Sequence, residues 1–439
     1  ILSEKTENEL TDCLLGFRYW IDEPGNDAMW FWSENHALMF HTCQLLAGEL
    51  FPDEVFTNSG LTGRQMQAKA KNMLYDWFVT FRKEGFTEWN SSPYLPIDTL
   101  GFGSLYAFAQ DPAMRELGRE GMDFAYYLLA VHSQQGIFAS SSGRTYIKEQ
   151  FGNWSNCPSG LSWIGYGYGV PGHAGKGITS YCLSDYEPPK EFAQWFSIPR
   201  GKEMICQTTQ GNDGYVDLYT YKTADYMMTS ANDFHPGEPG HQENPFQLTF
   251  NAVAQLWVTH PGERVLFGAA RPSYWAGNGT LPKVNQYKAF AGLIYDIAPE
   301  HPVDFTHLYL PSMEFDRCEV EGKWAFVQLG SAYAAVYCSN GMRMQDFGSN
   351  KDRECIAEGR RCIWLVRAAQ ADEFAAFEDF KAAMRGAALD ADAEGRRYRF
   401  VDPVYGELRC QWGETLYVND APMQYSGFDN YGKLTMQEK

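Results

Sequence analysis

"AMWFWSENHALMFHTCQLLAGELF", residues 28–51, is apolar on nearly every side of a helix, yet it carries Glu34, Asn35, His36 and His41. A helix that is apolar all round is packed on more than one side, and such a helix should not bury an acid, an amide and two imidazoles without a use for them. The rest of the N-terminal half has a related texture. "RQMQAKAKNMLYDWFVTFRKEG" (64–85) mixes charge and apolar groups at helical spacing and stops at a glycine. "YLPIDTLGFGSLYAFAQD" (94–111) and "AMRELGREGMDFAYYLLAVHS" (113–133) continue the alternation of buried and amphipathic helices. That alternation is expected of helical hairpins whose inner helices are covered by outer ones. Residues 151–187, rich in Gly, Ser, Trp and Tyr, read as a long irregular insertion.

From about residue 203 the period becomes two. "YVDLYTYKTADYMMTSA" (215–231), "NPFQLTFNAVAQLWVTH" (244–260), "YKAFAGLIYDI" (287–297), "HLYLPSMEF" (307–315), "WAFVQLGSAYAAVYCS" (324–339) and "CIWLVRAA" (362–369) read as strands between Gly, Pro and Asn turns. One late helix is expected in 372–386, and strands return in 398–420. The fold class is therefore α+β multidomain: residues 1–200 as a helical (α/α) toroid and residues 201–439 as an antiparallel β-sandwich. The helical half is short for a full toroid, so further helices before Ile1 are expected.

Composition narrows the functions. The 439 residues exceed one ordinary core. A net charge of −19 argues against nucleic acid and anionic membranes as partners, and no stretch is long and apolar enough for a membrane span. Aromatic residues make up 15%, with 13 Trp and 26 Tyr, and such side chains offer sugar rings a flat apolar face with a polar edge. The ten cysteines show no CxxC pair and read as buried free thiols. No signal peptide is visible, and the opening "ILSEKTENELTDCLLGFRYW" lacks Met, which suits a mature form or a processed fragment. Compartment, cytoplasmic or secreted, and oligomeric state stay open.

Four clusters carry candidate chemistry. Asn35 and His36 are adjacent, with Glu34 before them and His41 after; a core histidine and a capping amide are the structural alternative. "EGFTEWNSSPYLPID" (84–98) places Glu88, Trp89, Asn90 and Tyr94 at the mouth of the following helix, where N–H groups and the helix dipole favour an anion. "SSSGRTYIKEQF" (140–151) offers Arg144 and Tyr146. "DFHPGEPGHQEN" (233–244) offers His235 and His241, and "RPSYWAGNGTLPKVNQYK" (271–288) offers Arg271, Trp275 and Asn278. A structural metal near His235 and His241 is weighed, but the spacing fits no strong metal motif, and the expectation is no cofactor. Asn, His, Tyr and Arg among aromatic loops suit β-elimination on a uronic-acid polymer. Asn35, His36 and Arg144 would neutralise the sugar carboxylate, and Tyr94 or His36 would serve as base and acid.

These residues, in this order, resemble the heparinase II/III and alginate lyase group of polysaccharide lyases. Members carry an adjacent Asn-His on an inner helix, a catalytic Tyr at the start of a following helix, and often a His from the sandwich. The resemblance implies Asn35 and His36 for the first element, Tyr94 after "GFTEWNSSP" for the second, and His235 or His241 for the third. It implies a toroid-plus-sandwich fold and an anionic glycan substrate. Catalytic roles are thus expected for Asn35, His36, Tyr94, Arg144 and His241, and substrate contacts for Glu34, Glu88, Trp89, Asn90, Tyr146, His235 and Trp275. Glu88 departs from the group's pattern: it either repels an anionic sugar or pairs with Arg144. Two other readings compete: a glycoside hydrolase using Glu34 and Glu88, and a non-catalytic carbohydrate-binding protein.

Overall fold

Extended backbone ends at Ser33, and the helix that follows is Glu34–Leu50 rather than the whole of 28–51. The computed structural model describes residues 2–150, 155–171, 176–211 and 215–439. It divides into two compact units that interleave along the chain. One comprises Ile1–Thr87, Tyr94–Tyr127 and Gly175–Lys190; the other comprises Glu88–Pro93, Leu128–Ala174 and Glu191–Lys439. Parts of the expected 151–187 insertion, residues 151–154 and 172–175, lie outside the described residues; the rest of it includes the helices Cys157–Tyr166 and Ile178–Cys182.

The first unit is helical: α1 (Glu4–Gly16), α2 (Glu34–Leu50), α3 (Gly63–Glu84), α4 (Leu95–Phe108) and α5 (Pro112–Val131), whose last turn belongs to the second unit. Local chemistry sets the ends. Thr62 and Gln65 form a capping box on α3, which stops at Gly85 with φ 66°. Pro96 lies in the first turn of α4, where its missing N–H costs nothing. Directions follow from cross-contacts. The Gln67 amide donates to the Gly48 carbonyl (2.7 Å) and the Trp77 indole to the Glu34 carbonyl (3.2 Å), so α2 and α3 are antiparallel. A Cβ on Gly101 would meet Leu38, and the Gln110 N–H donates to the Glu49 carboxylate (2.9 Å), so α2 and α4 run parallel. The same reasoning makes α5 antiparallel to α4, because Gly121 abuts Phe102 and Gly118 abuts Tyr106.

The second unit is built on antiparallel sheets. A nine-stranded sheet runs Arg343–Met344, Glu354–Glu358, Phe305–Tyr309, Gln255–Thr259, Phe246–Thr249, Met227–Asn232, Val216–Lys222, Lys202–Gln210 and Lys433–Glu438. A six-stranded sheet runs Lys283–Tyr287, Phe290–Asp296, Arg361–Gln370, Ala332–Cys338, Trp324–Leu329 and Arg317–Glu321. A smaller five-stranded sheet spans Leu389–Pro422, and the late helix is Phe377–Gly386. Met228, Phe246, Leu248, Leu256 and Val258 of the first sheet share one buried cluster with Phe290, Leu293, Phe326, Val336 and Ile363 of the second. Alternation puts Thr229, Gln247, Thr249 and Gln255 on the opposite face of the nine-stranded sheet, and they too are buried. Thr229, Gln247 and Thr249 find partners in 139–150, while Gln255 bonds to Gln247 and to the Asn251 and Ala252 carbonyls. The Ser141 N–H donates to Thr229 Oγ1 (2.7 Å), Thr249 Oγ1 to the Ala139 carbonyl (2.6 Å), and the Gln150 amide to Gln247 Oε1 (3.1 Å). This polar lattice fixes the segment that carries Arg144 and Tyr146. Cys13, Cys43 and Cys182 are exposed, so the expectation of uniformly buried thiols fails for these three.

Candidate functional site

In the helical unit the packing of α2 on α4 relates Asn35 and His36 of the first motif to Tyr94 of the second. Because α2 and α4 are parallel neighbours, Asn35 and His36 in the first turn of α2 lie at the same end as Tyr94, the N-cap of α4. Both helix dipoles present their positive ends there, along with N–H groups that have no partner within their own helix. Asn35 is buried and His36 half-buried. Ser33 Oγ lies 2.5 Å from His36 Nδ1 and 3.2 Å from Asn35 Oδ1. If the Ser33 hydroxyl donates to the amide oxygen, it accepts from Nδ1–H, and Nε2 carries the lone pair. Partial burial lowers the His36 pKa, which favours the neutral imidazole at neutral pH.

Glu34 and His41 resolve differently. The Glu34 carboxylate accepts the Thr87 N–H at 2.9 Å, tying α2 to the loop after α3. His41 is buried against Trp20, with ring centroids 4.2 Å apart. Its pKa is lowered to about 4, mainly by burial and then by the Lys69 charge, against an opposing pull from Asp22. His41 is a core histidine. Two residues of the opening quotation that sequence reasoning left without a role are Trp30 and Trp32, 58% and 67% exposed, their rings in edge contact at 5.3 Å. The signal for them was in the pattern: a WxW pair just before a polar helix start, on backbone where Trp30 has φ 52° and cannot extend the helix.

The sheet-based unit holds the other candidates. Glu88 pairs with Arg144 at 3.2 Å, the second of the two outcomes weighed for it. Burial raises the Glu88 pKa while Arg144 pulls it down, with burial the larger effect. Arg144 also donates to Gln242 Oε1 (2.7 Å), and the Gln242 amide donates to the Thr145 carbonyl (2.8 Å). Trp89, Asn90 and Trp275, expected at the substrate, are instead buried, at 1%, 2% and 1% exposure. Trp89 packs on Phe234, and Asn90 turns the chain at φ 47° while its amide donates to the Ser141 carbonyl (3.3 Å). Trp275 stacks on His307 at 4.1 Å. None of the three has a face left for a sugar.

His235, half-buried, lies against Tyr215 (4.7 Å between centroids) and 3.5 Å from Glu238, and His241 is exposed. Among the described residues no group of three or more His, Cys, Asp or Glu converges as a metal site. Tyr146 lines a cavity of about 760 Å³ together with Ile147, Lys148, Gln242, Arg271 and Ser273.

No protein-family model matches the chain, and no curated protein matches it. Among solved structures, a heparinase III gene product aligns over 92% of this chain at 10% identity with a TM-score of 0.36. The chain spans 66% of the length of that structure.

Proposed function

We propose that the protein is a polysaccharide lyase that cleaves a uronic-acid-containing glycan by β-elimination. On this reading the helical unit is part of an (α/α) toroid and the sheet-based unit is a β-sandwich of the heparinase II/III kind. What supports the reaction is the coincidence of Asn35, His36 and Tyr94 at the paired N-terminal ends of α2 and α4. The uronate carboxylate is held there by the Asn35 amide and the helix ends, so that negative charge spreading onto it from C5 is stabilised. Neutral His36 takes the C5 proton through Nε2. The electron pair forms the C4–C5 double bond, the C4–O bond breaks, and Tyr94 donates its phenolic proton to the departing oxygen. Trp30 and Trp32 supply exposed faces for neighbouring sugar rings.

Arg144 has a smaller part than the sequence suggested. Arg144 already has Glu88 as a counter-charge, so carboxylate stabilisation rests on Asn35. Hydrolysis by Glu34 and Glu88 is disfavoured because Glu34 is engaged by the Thr87 amide and Glu88 by Arg144. Mass spectrometry of products from uronic-acid polymers tests the reading. Elimination leaves fragments whose summed mass equals the parent, whereas hydrolysis adds one water per cut. Water-added fragments would refute elimination.

A further inference from the structure

Cys338 and Cys362 are two thiols that the elimination chemistry does not use. Both belong to the sheet-based unit, and both are fully buried in its main core cluster. Cys338 ends the strand Ala332–Cys338, and Cys362 is the second residue of the neighbouring strand Arg361–Gln370. The antiparallel register sets Cys338 opposite Trp364, so Cys362, two residues earlier, points to the same face. Both are free thiols, with their sulfurs 3.3 Å apart. Between them the chain leaves the six-stranded sheet and adds Arg343–Met344 and Glu354–Glu358 to an edge of the nine-stranded sheet. It then returns at Arg361. At the base of this excursion the Asn340 amide donates to the Glu358 and Arg361 carbonyls, each at 2.9 Å. Asn340 and Arg361 are exposed, so the thiols lie one or two residues in from the surface.

We infer that Cys338 and Cys362 are an oxidation site, joined by a hydroperoxide into an intramolecular disulfide that staples the base of the 339–361 excursion. The two sulfurs are not equivalent. Burial raises both thiols, but at Cys362 it is outweighed by hydrogen bonds to the sulfur, led by those from Cys338 and Thr306. Thr306 Oγ1 accepts the Trp364 indole N–H at 2.9 Å, which leaves its own proton to give. Cys362 is thus held below the ordinary thiol range and Cys338 pushed well above it, so Cys362 is the attacking thiolate. It bonds to one peroxide oxygen, the O–O bond breaks, and the other oxygen leaves as water or an alcohol. The Cys338 sulfur then bonds to the Cys362 sulfur, the S–O bond breaks, and the released hydroxyl leaves as water with the Cys338 proton. Two thiols give up two electrons and two protons in all, and the peroxide takes them up. Hydrogen peroxide is close to water in size, so it reaches the pair by a short path from the exposed turn.

Peptide mapping of the intact folded chain tests this, after brief treatment with hydrogen peroxide and alkylation of the remaining thiols in denaturant. The expected result is a peptide pair joined through Cys338 and Cys362, lighter than the two reduced peptides by two hydrogens and separated by dithiothreitol. The mapping uses the parent chain, so it does not depend on any variant folding. A cross-link between residues 24 apart should raise Tm by about 4 °C if all 439 residues unfold together. Cys338→Ala should abolish that rise and leave Cys362 as a sulfenic acid that dimedone traps. Both cysteines alkylated after treatment, or joined to other cysteines instead, would overturn the site. Linkage without a rise in Tm overturns the staple, and no dimedone adduct on Cys362 in Cys338→Ala overturns Cys362 as the attacking thiol.

Discussion

Gly101→Ala separates two opposed effects at the helix contact on which the proposed site depends. In an isolated helix the change stabilises by about 1 kcal/mol, because alanine loses less backbone entropy than glycine. Here the added Cβ would lie 2.9 Å from Leu38 Cγ, 3.0 Å from Leu38 Cδ2 and 3.4 Å from Met39 Sδ. Leu38 is fully buried, so it has no open direction in which to swing. Overpacking of this kind costs about 1–3 kcal/mol, so the sum should be destabilising by about 1 kcal/mol. For cooperative unfolding of all 439 residues that corresponds to a fall of roughly 1 °C in Tm. Gly118→Ala should cost more, because its Cβ would meet the Phe102 carbonyl oxygen and the Tyr106 nitrogen, both at 2.6 Å, and backbone atoms cannot rotate away. The assay is paired thermal melts of parent, Gly101→Ala and Gly118→Ala. Turnover of Gly101→Ala should also fall, since α2 carries Asn35 and His36, α4 carries Tyr94, and displacement by about 1 Å can cost 100-fold. A Tm that rises in Gly101→Ala would refute the close parallel packing of α2 on α4.

Two further outcomes are expected. His41 has a folded pKa of about 4 against about 6.5 unfolded, so it must take up a proton to unfold in acid. Its contribution, at most about 3 kcal/mol, is fully present above pH 6.5 and is lost as pH falls toward about 4. Urea unfolding across that window should show a shallower decline in His41→Gln than in the parent; equal slopes would exclude His41 as the cause. Asn35→Ala should lower kcat by about 100-fold or more while changing KM little, because its amide acts on charge that develops in the transition state. A change confined to KM would make Asn35 a ground-state contact.

The helices were legible where their ends carry chemistry. Residues 64–85 were read as a helix and α3 is Gly63–Glu84, because Thr62, Gln65 and Gly85 mark both limits. The reading of 28–51 overran at its start, since an apolar run alone does not distinguish helix from the irregular backbone around Trp30. "YVDLYTYKTADYMMTSA" resolves into the strands Val216–Lys222 and Met227–Asn232, paired antiparallel, as its period implies. What the period could not show is that the polar face of that sheet is buried. Thr229, Gln247 and Gln255 look like solvent-facing positions; partners in 139–150 offset the burial of the first two, and Gln247 with the Asn251 and Ala252 carbonyls that of Gln255.

The candidate site was legible to the same mixed degree. Tyr94 stood out at the mouth of a helix and Asn35 and His36 as polar residues within an apolar run, but only the structure puts those two in the first turn of α2. Trp89 and Trp275 did not reveal their burial, because a tryptophan in a polar loop reads the same whether it packs inward or faces a ligand. The Glu88–Arg144 pair spans 56 residues of chain (144 − 88) and is a product of tertiary structure, which the sequence could offer only as one of two options.

The most direct test is ultraviolet absorbance of the unsaturated uronate product, followed across a panel of uronic-acid polysaccharides with the parent protein and Tyr94→Phe. The expected result is rising absorbance on at least one polymer, lost in Tyr94→Phe while the melting curve is unchanged. New reducing ends without that absorbance, or undiminished absorbance in Tyr94→Phe, would contradict elimination with Tyr94 as the acid.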